Sequence, residues 1–202
     1  MDLLRLIITD ASRWYYPAMI PGGETRRLLL RPLEIADAPQ IQATFPQWEI
    51  VRFLQNRVPW PYPPDGALYY IGEIGLPGME NGEAWHWTLR LKTEPGRIVG
   101  VISLLCDGEA NRGFWLDPAH QGQGLMSEAC EWVNDFWFDT LGFSLLRVSK
   151  AAANLASRRI SEKQGMRKVG ETESDYVSGR LPSEIWEITA EEWRAWKAAR
   201  GG

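Results

Sequence analysis

Residues 114–129 run from an apolar strand pattern (Phe-Trp-Leu), through a loop carrying two glycines (Asp-Pro-Ala-His-Gln-Gly-Gln-Gly), into an amphipathic helix (Leu-Met-Ser-Glu-Ala). A chain with this junction must bring a strand end, a turn and a helix start together, which commits its middle to a sheet covered by a helix. Gly122 and Gly124, spaced by one residue, let the backbone approach a ligand with no Cβ in the way. The unpaired N–H groups of the helix start then point at an anion. The loop predicts a site for a pyrophosphate-bearing cofactor, although the same glycines also fit a plain tight turn.

The flanking patterns build the sheet. Residues 84–92 alternate, with Trp85, Trp87, Leu89 and Leu91 on one face and His86, Thr88, Arg90 and Lys92 on the other, the mark of a half-buried strand. Residues 94–97 read as a turn, 98–105 as a strand buried on both faces, and 112–116 as the strand that feeds the loop. Leu125, Ala129, Trp132, Val133, Phe136 and Trp137 form one stripe of the helix that packs on this sheet. A strand at 143–148, a helix from Asn154 to a Gly165 stop, a hairpin from 168–177 and 183–188, and a tail helix at 190–200 follow. Before the sheet come a strand at 26–30, a helix at 35–45 ended by Pro46, and a short helix at 48–57. Residues 58–65 hold four prolines in eight positions, so they form an ordered, polyproline-like loop, either a linker or a stiff wall of a substrate cleft.

The chain of 202 residues is read as an N-terminal extension, 1–22, that packs on the domain or on a second subunit, followed by one domain, 23–202. A homodimer is therefore expected. A net charge of -4 offers no basic field for nucleic acid, and no polybasic run suits a membrane surface. The two cysteines, Cys106 and Cys130, have no metal-ligand spacing and read as buried, reduced thiols, so no metal is expected. The start, Leu3-Leu4-Arg5-Leu6-Ile7-Ile8, is too short and charged to span a bilayer or serve as a leader, and a cytoplasmic location is the expectation. Of the eleven tryptophans most read as packing, whereas Trp48 and Trp60 fit either the core or an aromatic cleft wall.

About thirty residues after the loop stands Asn154-Leu155-Ala156-Ser157, then Glu162-Lys163-Gln164-Gly165. Gln121-x-x-Gly124 together with these two motifs resembles the GNAT superfamily of acetyl-CoA-dependent N-acetyltransferases, over roughly residues 26–189. Trp115-Leu116-Asp117-Pro118 and the Asn-x-x-Ser pair are most similar to the Rim-type branch, which acetylates N-terminal amines of ribosomal proteins. Met126 departs from the small residue usual there. The resemblance implies an α/β (α+β) fold: a mixed, mostly antiparallel central sheet with a splayed strand pair, flanked by helices.

It also implies a chemistry. The pyrophosphate of acetyl-CoA would sit on the backbone amides of Gly122, Gly124, Leu125 and Met126, with Gln121 and Gln123 shaping the loop. Its pantetheine arm would pair with Trp115, Leu116 and Asp117, beside Asn154. The acceptor would be a primary amine, on a small molecule or at a protein N-terminus. Ser157 is the candidate acid for the departing thiolate, unless its hydroxyl only bonds its own helix. His86 is a candidate base or a solvated residue of its strand. Glu109, Tyr176 and a water chain are alternatives, and His120 is read as positional. The alternative function is a catalytically silent acyl-CoA sensor or scaffold. A Rossmann or P-loop protein is excluded, since Ser127 stands where a third glycine would and no GxxxxGK[ST] occurs.

Overall fold

A computed structural model describes residues 20–106 and 110–200. Its frame is a five-stranded antiparallel sheet in the order β1-β2-β3-β4-β5, made of Gly23–Glu24, Leu28–Pro32, Ala84–Leu91, Gly100–Leu105 and Arg112–Leu116. A second antiparallel sheet, β6-β8-β7, is made of Leu145–Ala151, Gly179–Thr189 and Arg167–Tyr176. The expected mixed fold with a splayed pair is what forms, and the split falls between β5 and β6.

Each face of the larger sheet carries its own core. On one, Trp85, Trp87 and Leu89 of β3 meet Leu125, Ala129 and Val133 of α5 (Leu125–Asp135), which continues as a π-helical turn holding Phe136 and Trp137. The helical stripe read from the sequence is the buried face. Buried indoles keep their N–H groups bonded: Trp87 donates to the Pro21 carbonyl (2.8 Å) and Trp137 to the Leu145 carbonyl (2.9 Å). Pro21 and Ile20 thus pack the described end of the extension onto the domain; residues 1–19 lie outside the described residues.

On the opposite face, Ile41 of α1 (Ala38–Thr44) and its C-cap Phe45, together with Val51 of α2 (Trp48–Val51), meet Val101 of β4. The proline-rich loop leads into a broken helical run: α3 (Gly66–Tyr69), a π-helical segment (Tyr70–Gly75) and α4 (Leu76–Glu80). The short helix expected at 48–57 stops at Val51, where turns begin.

This second layer corrects the half-buried reading of β3, because every residue from Ala84 to Arg90 is buried. His86, Thr88 and Arg90 are polar because each has a partner inside. Arg90 Nη2 lies 2.7 Å from Asp37 Oδ1, and both residues are buried, while Thr88 Oγ1 donates to the Arg31 carbonyl (3.3 Å). The cysteine reading is half right: Cys130 is buried in the core, but Cys106, just past the end of β4, is exposed. Both are free thiols.

Removing one partner of a buried ion pair leaves a charge without compensation. Asp37→Ala is expected to lower the unfolding free energy by about 3–5 kcal/mol in urea titrations, whereas Asp37→Leu with Arg90→Met should recover most of that loss. Equal destabilisation by both would mean that the pair's geometry, not its charge balance, is what matters.

Candidate active site

The two sheets touch where β5 begins. Asn111 N–H donates to the Arg147 carbonyl and Arg147 N–H to Asn111 Oδ1, both at 2.8 Å. From there on β5 pairs only with β4 and β6 only with β8, so the β6-facing edge of β5 at positions 113–116 has no ladder partner among the described residues.

Under this split lies Arg112, buried at the start of β5. Its Nη1 donates to Asn134 Oδ1 (2.6 Å), near the end of α5, and to Gln164 Oε1 (3.0 Å), the C-cap of α6 (Leu155–Lys163). β5 and β6 both lead away from the Asn111–Arg147 contact, and α5 and α6 follow them and return with their C-terminal ends to Arg112, so both helices start at the far end of β5. The glycine loop and Asn154 therefore open on the same side, over the mouth of the split.

The loop is shaped from within. Asp117 Oδ1 accepts from Ala119 N–H (3.1 Å), and its other oxygen lies 3.0 Å from Arg97 Nη2 and 3.5 Å from His120 Nδ1. Gln121 Nε2 donates to the Leu116 carbonyl (2.9 Å) and Gln123 Nε2 to the Ala119 carbonyl (3.3 Å). Gly122 and Gly124 stand at φ +75° and +79°, a backbone region that residues with a Cβ rarely adopt, and Gly124 caps α5. Residues 121–124 are exposed, while Leu125 and Met126 are buried and anchor the helix start in the core. With both glutamine amides bonded back to its own carbonyls, its glycine backbone exposed and the Asp117 carboxylate paired, the loop suits a phosphate group.

On the facing helix, Asn154 Oδ1 caps α6 by accepting from Ser157 N–H (3.1 Å), and Ser157 is half-buried in the first turn. On the α1 side of the sheet, an aromatic wall joins Trp115 to Phe45 (centroids 5.4 Å apart) and Phe45 to Tyr62 of the proline loop (4.9 Å). Leu116 and Asp117 are buried behind Trp115. Burial pushes the Tyr62 hydroxyl up to about 12. Trp48 and Trp60 belong to neither core: both are largely exposed and lean on each other at 5.7 Å.

His86 is not the solvated residue that alternation suggested. It is 2% exposed, its Nδ1 lies 2.6 Å from Ser103 Oγ on the paired strand, and its ring meets Tyr70 edge-on at 6.0 Å. Burial lowers its pKa to about 4. Tyr176 is also buried, with its hydroxyl 2.7 Å from Ser183 Oγ in a network that reaches Ser149 and joins β6, β7 and β8. Glu109 lies outside the described residues.

Sequence reading passed over Lys150. Its amine is buried against Ser161 Oγ, lies 5.3 Å from the centre of the Trp186 ring, and is lowered by burial to about 7. A lysine inside the otherwise apolar inward pattern Leu146, Val148 was the available signal.

The burial of His86 has a pH signature. Between its ordinary value of 6.5 and about 4 the unfolded chain takes up a proton that the folded one does not, so stability is retained above pH 6.5 and falls as pH drops through that window. Wild type should lose about 3 kcal/mol of unfolding free energy through this group by pH 4, a loss absent from His86→Gln when urea titrations at pH 7 and pH 4 are compared.

A model of the acetyltransferase (GNAT) domain family matches residues 27–167. The Probable N-acetyltransferase YjcK of Bacillus subtilis (strain 168) is 29% identical over 157 residues, which is 72% of this chain and 83% of that protein. Among solved structures, the ribosomal-protein-S5-alanine acetyltransferase of Vibrio fischeri superposes with a TM-score of 0.72 at 18% identity, covering 86% of this chain and 99% of the other. Mycobacterium smegmatis RimJ, in complex with CoA-disulfide, gives 0.72 at 18% identity over 89% and 94%. At those identities the superpositions establish the fold alone, and no helix among the described residues is long and apolar enough to cross a membrane. The family match spans well over half of the sequence, and on that ground the chain belongs to the GNAT acetyltransferase family.

Proposed function

We propose that this protein transfers the acetyl group of acetyl-CoA to a primary amine, with a protein N-terminus as the leading acceptor and small-molecule amines as the other class. The observation that carries this reading is the unpaired edge of β5 running straight into a loop of two left-handed glycines at a helix start. The CoA-disulfide complex of RimJ supports the cofactor, and the S5-alanine activity for which the Vibrio fischeri enzyme is named supports the acceptor.

The thioester supplies the acetyl group: the amine nitrogen bonds to the carbonyl carbon, the C–S bond breaks, and sulfur leaves as thiolate. The amides of Gly122, Gly124, Leu125 and Met126 hold the pyrophosphate, aided by the positive end of α5. Backbone groups of Trp115, Leu116 and Asp117 bond the pantetheine arm along the open edge. Asn154 fixes the first turn of α6, and Ser157 gives its proton to the thiolate and regains one, through water, as the nitrogen sheds its own on collapse of the tetrahedral intermediate. His86, neutral at pH 7, takes the part of a buried wall of the acceptor side; a group held near 4 is a weak proton acceptor, and the amine enters neutral or loses its proton to water. Residues 23–202 act as one domain, located in the cytoplasm, and the exposed aromatic side chains of Trp48, Trp60, Tyr69 and Tyr70 favour a homodimer.

Calorimetric titration with acetyl-CoA and CoA, with NAD as control, tests the cofactor. Gly124→Val, which forces a β-branched residue to φ +79°, is expected to remove CoA binding; unchanged affinity would overturn the loop assignment. Ser157→Ala should lower turnover, read by thiol release, by about a hundredfold with CoA binding retained. Equal turnover would move the acid elsewhere.

A further inference from the structure

Arg27, on the approach to β2, reaches the loop from 96 residues away. Its Nη1 donates to the Gln123 carbonyl (2.9 Å) and its Nε to Glu128 Oε2 (2.9 Å), while its backbone N–H donates to Glu128 Oε1 (2.6 Å). The Thr25 hydroxyl donates to that same oxygen. A Cβ built on Gly124 would stand 3.5 Å from the remaining guanidinium nitrogen.

Gln123 lies between the two left-handed glycines on an exposed stretch. Nothing in such a sequence holds one conformation by itself, and ordering it upon binding would draw on the affinity. Glu128 adds a second problem, because its carboxylate sits in the first turn of α5, where an anion would bind. Burial pushes its pKa up, but the hydrogen bonds from Thr25 and Arg27 and the charge of Arg27 outweigh that, so it stays ionised. Unpaired, it would repel a phosphate.

We infer that Arg27 is a positioning residue that ties the Gln123 carbonyl in the shape needed for phosphate and cancels the Glu128 charge beside it. The inference rests on the acetyl-CoA reading for its ligand. Only a planar fork answers a carbonyl and a carboxylate together, so lysine can replace the charge but not the tether.

The test uses Arg27→Gln, Arg27→Lys and Arg27→Gln with Glu128→Gln in the full chain. Arg27→Gln should weaken CoA binding about tenfold, equivalent to about 1.4 kcal/mol, and raise the KM for acetyl-CoA alike, with kcat at saturation unchanged. Arg27→Lys should fall between wild type and Arg27→Gln, and the double variant should regain part of the loss. Amide hydrogen exchange across residues 122–126, without ligand, should quicken in Arg27→Gln. Wild-type affinity or wild-type exchange in that variant would overturn the inference. Failure of the wild type to bind CoA would instead overturn the acetyl-CoA reading, and the exchange result would still decide whether Arg27 orders the loop.

Discussion

Arg112 holds together what the split between the sheets would otherwise let apart. A guanidinium at the start of β5, bonded to the side-chain amides of Asn134 and Gln164, pins the lower ends of α5 and α6 to one strand. Two amide oxygens share its Nη1 and the Met166 sulfur lies 3.9 Å from its Nη2, so the buried cation is held without a buried carboxylate. Together with the Asn111–Arg147 contact it closes the base of the wedge, so the strands can diverge above without the helices drifting. Loop and Asn154 cap share one mouth because both helices are fastened at the same place.

The central strands show how a sheet can be covered on both sides and still carry polar residues. β3 alternates as an amphipathic strand would, yet its polar face is buried because α1 and the broken helical run lie over it. Arg90 is held by Asp37 and His86 by Ser103, so the pattern marks paired groups in a second core instead of groups facing water. For His86 the consequence is chemical: burial that keeps the ring neutral also makes it a weak base.

Elements whose shape follows from neighbours in sequence were legible. The α5 stripe, the glycine loop, the Asn154 cap and the closing hairpin each depend on periodicity or a local bond, and each stands about where the residues put it. Residues 66–80 were not read as helical, since four glycines and a proline erase the pattern; tertiary contact decides there. A Cβ on Gly66 would stand 2.7 Å from the Tyr62 ring, so this glycine answers to close approach, not to flexibility. The same limit hid the supports of the candidate site. Arg27 and Glu128 are 101 residues apart, and no local rule joins them.

An unpaired strand edge is ordinarily a hazard, because it can template the addition of a strand from another molecule. The free edge of β5 escapes this by where it lies. β6 stands across the wedge, bonded to β5 at its base, so the edge looks into the molecule and not out of it. A foreign strand, with side chains alternating to both sides, needs a flat approach of its full width. Facing inward across the wedge, the free edge is turned away from a strand edge of another molecule, the contact that self-association would need.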